Sequence, residues 1–269
     1  MAHYGKYCSS SSFLSPIPHP SSPSLRLHPL LSLHPSIEHP FHSNQKWLFI
    51  LGTGRSGSTT LLEQIDLLPH FRLRGETEGA MIPLMKFVNS TILGQKYKLY
   101  EIIQAMFARI DPPPSSATNS NSTSLDSYSI LGFKEIRYDT LEQIKFIKTA
   151  FPCSRMILNY RRDTEKQLKS AFFKNSKYMS KDRLLKKNSN MEDIHKIYQE
   201  TTYLMPLESF TLASFNHMLE WLLGDNKLLG NCSFLKVCHS NHNGTYHPCG
   251  ARTGNYIAGN CSFDPHRIE

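Results

Sequence analysis

Lys46-Trp47-Leu48-Phe49-Ile50-Leu51-Gly52-Thr53-Gly54-Arg55-Ser56-Gly57-Ser58-Thr59-Thr60-Leu61-Leu62-Glu63-Gln64-Ile65 is the stretch from which the fold reads. After one lysine come consecutive apolar side chains, Trp47 to Leu51. Continuous rather than alternating hydrophobicity over this length marks a strand buried on both faces, as in a parallel sheet covered by helices. Gly52, Gly54 and Gly57 then let the backbone turn tightly and aim its N–H groups at an anion. Ser58, Thr59 and Thr60 offer hydroxyls to cap the helix that follows, whose N-terminus adds partial positive charge. Strand, glycine turn, helix is the opening of a nucleotide-binding α/β domain.

Outward from this unit, residues 111–127 (DPPPSSATNSNSTSLDS) read as a flexible surface insertion. Further strands are expected at 129–136 (SILGFKEI), 155–160 (RMILNY) and 201–205 (TTYLM), with helical patterns at 140–150, 164–174 and 209–223. The alternation predicts an α/β three-layer sandwich, with a mainly parallel sheet and a P-loop-like phosphate-binding turn. The expected organisation is a disordered Ser/Pro-rich leader (1–45), an α/β domain (46–230) and an irregular Cys-rich tail (231–269).

A chain of 269 residues accommodates one sizeable α/β domain and not two. Its formal net charge of +8 suits an anionic partner: a nucleotide, a sulfated glycan, an acidic peptide or nucleic acid. Lys181, Arg183, Lys186 and Lys187 would guide such a partner, or simply be solvated. Of the cysteines, Cys232, Cys238, Cys249 and Cys261 crowd the tail, near His239, His242 and His247. The usual C-x-x-C pair of a zinc site is missing, so disulfides pinning the tail are the preferred reading and no metal is expected. Cys153, beside an apolar strand, reads as core, and Trp221 as packing. Sequons at Asn89, Asn121, Asn231, Asn243 and Asn260 favour, with the cysteines, a glycoprotein of the secretory (Golgi) lumen. The leader has no continuous apolar core for a signal peptide, and its composition partly resembles a plastid transit peptide. A Golgi location would call for a membrane anchor that this sequence lacks.

The first and last glycines of the turn fit the G-x-x-x-x-G of a nucleoside triphosphatase, but Ser58 stands where such an enzyme carries lysine. Arg55-Ser56-Gly57-Ser58-Thr59 after an apolar strand instead resembles the 5′-phosphosulfate loop of PAPS-dependent sulfotransferases, of the Golgi carbohydrate and tyrosylprotein type. PAPS is 3′-phosphoadenosine-5′-phosphosulfate. The resemblance implies that Gly52, Thr53, Gly54, Arg55, Ser56, Gly57, Ser58 and Thr59 hold the donor, with Arg55 supplying charge at the reacting sulfate. A second segment, Arg162-Asp163-Thr164-Glu165-Lys166-Gln167-Leu168-Lys169-Ser170, resembles the family's R-D-P-R-x-x-x-x-S signature for the 3′-phosphate. Arg162 and Ser170 keep the family's separation, while Thr164 and Glu165 replace its proline and arginine.

An attacking hydroxyl must also lose its proton, and a nearby carboxylate is the usual acceptor. Arg74-Gly75-Glu76-Thr77-Glu78, followed by Ile82-Pro83, resembles the G-E-E-T…I-P segment of tyrosylprotein sulfotransferases, which puts Glu76 at the catalytic glutamate. Glu63, after Thr60-Leu61-Leu62, falls where heparan 3-O-sulfotransferases carry their base, and Glu78 is a third candidate. In Gly132-Phe133-Lys134-Glu135-Ile136-Arg137, Lys134 ends a strand and faces the crevice in which α/β folds bind ligands, with Arg137 a weaker candidate for the same role. The resemblance thus implies an enzyme transferring a sulfuryl group from PAPS, as co-substrate, to a hydroxyl of an anionic glycan or protein, with no nucleic acid involved. The alternatives are a P-loop kinase or hydrolase, and a non-catalytic protein that keeps the fold and binds a glycan or protein.

Overall fold

The computed structural model describes residues 46–66, 68, 71–90, 100, 102–103, 130–170, 173, 179–223, 233–237, 241–242 and 245–246. The leader, the 111–127 insertion, most of the tail, its cysteines and the sequons other than Asn89 lie outside them. A five-stranded sheet has the order β2-β3-β1-β4-β5, built from β1 (Lys46–Gly52), β2 (Phe71–Arg74), β3 (Ile130–Glu135), β4 (Arg155–Asn159) and β5 (Thr202–Leu204). Every pairing within it is parallel. The fold is therefore α/β, and more uniformly parallel than the sequence led us to expect.

The apolar run of β1 explains the layering. Trp47, Phe49 and Leu51 face a core closed by α2 (Met81–Ser90), α3 (Leu141–Ala150) and α5 (Lys181–Ile197). Leu48 and Ile50 face a second core closed by α1 (Ser58–Asp66) and α6 (Leu212–Leu223). Successive strand side chains point to opposite faces, so a strand apolar at every position must be covered on both. The central pairing is tight at Gly132: a Cβ there would stand 1.6 Å from the Leu48 carbonyl oxygen, so no other residue fits.

Several elements differ from expectation. β2 was not anticipated; its Phe71-Arg72-Leu73-Arg74 alternates buried and half-buried residues at the sheet edge and offers no apolar run. α2 and α5 were also missed, although α5 spans 17 residues. Of the helix expected at 164–174, the described residues show α4 (Thr164–Leu168), started by Asp163, whose side chain accepts from the Lys166 amide, and a break at Lys169 and Ser170. Within the tail, residues 233–237 dock on the α1/α6 layer. Phe234 is buried, its backbone bonds the Asn216 side chain in both directions, and Gln64 donates to the Lys236 carbonyl. Strands β6 (Asn241–His242) and β7 (Thr245–Tyr246) pair antiparallel. Cys153 is not a simple core residue: it is half-buried and disulfide-bonded. No helix among the described residues is long and apolar enough to cross a membrane.

Candidate functional site

The carboxyl ends of β1, β3 and β4 share one rim of the sheet, and the candidate residues emerge there. Between β1 and α1 the turn is built on left-handed backbone at Gly54 (φ 71°), Arg55 (φ 54°) and Gly57 (φ 84°). Gly57 cannot be replaced without displacement, because a Cβ would lie 2.7 Å from Leu207 Cδ1 and 2.8 Å from Phe210 Cε2. The Arg55 side chain is exposed and has no ion pair among the described residues. The turn's buried hydroxyls serve the fold instead. Ser56 donates to Asn159 Oδ1, and Asn159 Nδ2 donates to the Met205 carbonyl at 2.8 Å. Thr53 Oγ1 accepts from Gln167 at 3.2 Å. Thr53 and Ser56 thus keep their hydroxyls within the fold; what the turn offers is main chain, Arg55 and the first turn of α1, where helix amides lack intrahelical acceptors.

The second motif abuts the first. Gln167 on α4 is fully buried, and its Nε2 donates to the Thr53 carbonyl at 3.3 Å and to the Gly54 carbonyl. Glu208 accepts from the amides of Arg162 (3.0 Å) and Asp163 (3.1 Å), fixing the entry to α4. Burial opposes ionisation of Glu208, but these backbone donors outweigh it and hold its carboxyl below the usual range. The Arg162 side chain is exposed, lies at the Tyr160 hydroxyl and has no ion pair among the described residues. Ser170 falls just beyond α4, not two turns into a helix, and its Oγ is buried without a partner among the described residues. Arg161 Nε, Gln167 Oε1 and Asn188 Oδ1 are likewise buried without a partner among them.

On the other flank the groups are densely paired. Lys134, buried at the end of β3, donates to Glu76 Oε1 at 2.8 Å and to Thr59 Oγ1 at 3.4 Å. One ammonium thereby joins α1, β3 and the turn after β2. Arg137 reaches Glu76 (3.3 Å), Glu78 (2.6 Å) and Glu135 (2.9 Å). Of the candidate bases, Glu76 sits in this cluster, and Glu78 is on its exposed edge. Glu63 lies a helical turn beyond Thr59, about 6 Å further along α1 and away from the rim.

Glu135 is the residue that sequence reasoning passed over, although the segment carrying it had been singled out. Its carboxylate is fully buried. It accepts from the amides of Thr77, Gly79 and Ile136, from Thr77 Oγ1 and from Arg137. Burial would raise its pKa; the donors prevail and hold it below the carboxylate norm. Two of the basic residues that the sequence offered to an anionic partner are ion-paired. Lys187 is engaged with Asp139 at 2.8 Å, largely out of solvent, and Lys181 pairs with Glu165 at 2.8 Å. Among the described residues no group of His, Cys, Asp or Glu could hold a metal ion.

No protein-family model matches the chain, and no curated protein does. Among solved structures, the YorR protein in complex with phosphorylated GDP from Bacillus subtilis is similar over 65% of this chain and 95% of that one, at 10% identity and a TM-score of 0.33. A likeness this slight carries no argument about site or activity.

Proposed function

We propose that this chain is a PAPS-dependent sulfotransferase acting on a hydroxyl of a glycan or protein. The observation that carries the reading is the Gln167 contact: the two segments that resemble the 5′-phosphosulfate and 3′-phosphate motifs lie against each other. One nucleotide could then meet both. Arg55 and Arg162, exposed and with no ion pair among the described residues, are cations available to its two anionic ends. The Ser170 hydroxyl, buried without a partner among the described residues, is a further donor in the second motif, since buried polar atoms ordinarily have partners.

On this reading the acceptor oxygen attacks sulfur in line with the leaving phosphate oxygen. Glu76 takes the acceptor proton. Arg55, Lys134 and the amides at the start of α1 stabilise charge on the sulfuryl and leaving oxygens, an arrangement that acts through position and electrostatics. Lys134 pairs with Glu76 in the free protein, so donor binding must draw the ammonium partly toward sulfate, leaving Glu76 the stronger base. The Cys153 disulfide supports an oxidising compartment, such as the secretory lumen, and exposed Asn89 would be available to a glycan there. Mass spectrometry of glycans and disulfides on the native protein checks that placement.

The functional test is ligand-induced stabilisation followed by transfer. Adenosine 3′,5′-bisphosphate should raise the melting temperature and magnesium-ATP should not; the reverse pattern would favour a P-loop kinase or hydrolase. Labelled sulfate should then move from PAPS to a member of a broad glycan and peptide panel, and Glu76→Ala should lower the transfer by roughly 10²- to 10⁴-fold. Bisphosphate binding without transfer to any acceptor would favour the non-catalytic reading.

A further inference from the structure

We infer that Glu135 is a positioning residue for the Glu76 base, an inference that rests on the functional reading above. β3 ends in two consecutive charged residues that point to opposite sides of the sheet. Both seize the turn between β2 and α2. Lys134 leaves on the α1 side and takes the Glu76 carboxylate at 2.8 Å. Glu135 leaves on the other side, and its Oε2 takes the Thr77 amide (3.2 Å), the Thr77 hydroxyl (3.0 Å) and the Gly79 amide (2.8 Å).

The turn needs such a hold. Glu78 (φ 54°) and Gly79 (φ 74°) both adopt left-handed backbone, unfavourable for Glu78, and Gly75 has open space around it. The other carboxylate oxygen of Glu135 receives Arg137, which in turn bonds Glu76 Oε2. Both oxygens of Glu135 therefore act on Glu76, one through backbone and one through a shared guanidinium. A fully buried carboxylate is costly to keep unless donors surround it, and here the donors come from the turn that carries the base. Glu135 itself is walled off from solvent and does not touch substrate on this reading.

The test uses Glu135→Ala and, because that variant risks misfolding, Thr77→Val, which removes one donor to Glu135 together with the Thr77 contact to the Tyr138 hydroxyl and leaves Glu76 and Lys134 in place. Hydrogen exchange follows the Thr77 and Gly79 amides, with Leu131 to Phe133 as an internal control. PAPS hydrolysis supplies the activity, with water as acceptor: water oxygen bonds to sulfur, the sulfur–phosphate oxygen bond breaks, adenosine 3′,5′-bisphosphate leaves and the water proton passes to Glu76. We expect exchange at Gly79 to speed by about tenfold or more in both variants while the control strand stays protected. The turnover number should fall by about 10- to 100-fold in Glu135→Ala and by a few-fold in Thr77→Val, as expected for a displaced reacting group. The KM for PAPS and the melting shift with adenosine 3′,5′-bisphosphate should stay at wild-type values. Unchanged exchange, or unchanged turnover in a variant whose turn has loosened, would overturn the positioning role. A wild-type protein that shows neither bisphosphate shift nor PAPS hydrolysis would instead overturn the sulfotransferase reading, and with it the catalytic part of this inference, even if the exchange change appeared.

Discussion

The two flanks of the rim are built on opposite plans. On the β3 side Lys134, Glu135, Arg137, Glu76 and Glu78 satisfy one another in a continuous network. Among the described residues of the β4 side, Arg162 is exposed and has no ion pair, and buried polar atoms of Arg161, Gln167, Ser170 and Asn188 lack partners. A flank whose polar groups complete each other is organised before any ligand arrives. A flank with hydrogen-bonding capacity left over is completed by what it binds, or by water. For a transferase the division makes sense: base and electrophile must be held to a fraction of an ångström, whereas an anchoring phosphate brings its own acceptors.

The largest expected effect breaks the organised flank. Glu76→Ala should lower transfer by roughly 10²- to 10⁴-fold, the usual range for a lost proton acceptor, with the bisphosphate melting shift intact. Equal loss of donor binding would show that the flanks are not separable. Lys134→Met should lower the turnover number by about 10²-fold, measured alongside the melting temperature.

Gln167→Leu attacks the join between the flanks. It leaves the Thr53 and Gly54 carbonyls without their buried donor, so about 1–3 kcal/mol of stability should be lost. Bisphosphate affinity should drop with it, to a degree read by calorimetry.

That residue also shows where sequence reading stops. β1, the glycine turn and α1 were legible because an unbroken apolar run and closely spaced glycines are contiguous signals. Strands β3, β4 and β5 were legible for the same reason. β2 was not: four residues alternating with arginine look like a loop, and only pairing with β3 makes them a strand. α5 hid because its buried residues, Leu184, Asn188, Met191 and Ile194, are sparse among charged ones. Gln167 carries no charge and no motif weight, and its contact spans 113 residues of chain. Glu135 could not be given a role until β2 brought the Glu76 turn beside it.

Acid sharpens the comparison further. Because the folded pKa of Glu135 is depressed below its ordinary 4.5, the stability it contributes is complete above that pH and is lost as pH falls through the lowered value. Thr77 and Gly79 amides should accordingly lose protection in that acidic window before the strands do, as seen by hydrogen exchange. The smallest effect lies at the opposite edge of the sheet. Burial, with Arg155 nearby, pushes Lys148 from 10.5 down to about 8. Here the charged form is penalised in the fold. The penalty is full below about pH 8 and is relieved as pH rises toward 10.5. Wild type should gain stability over that interval relative to Lys148→Met, which should be the more stable protein at neutral pH by an amount on the order of 1 kcal/mol, with no change at the rim.

The account depends on two anion-binding segments gripping one nucleotide, and calorimetric titration of adenosine 3′,5′-bisphosphate into wild type, Arg55→Ala and Arg162→Ala measures this directly. The account predicts one site per chain, weakened about 10- to 100-fold by either substitution, each having removed a charge-assisted contact to phosphate. Wild type that fails to bind the bisphosphate, or binding untouched by one of the two substitutions, would contradict it.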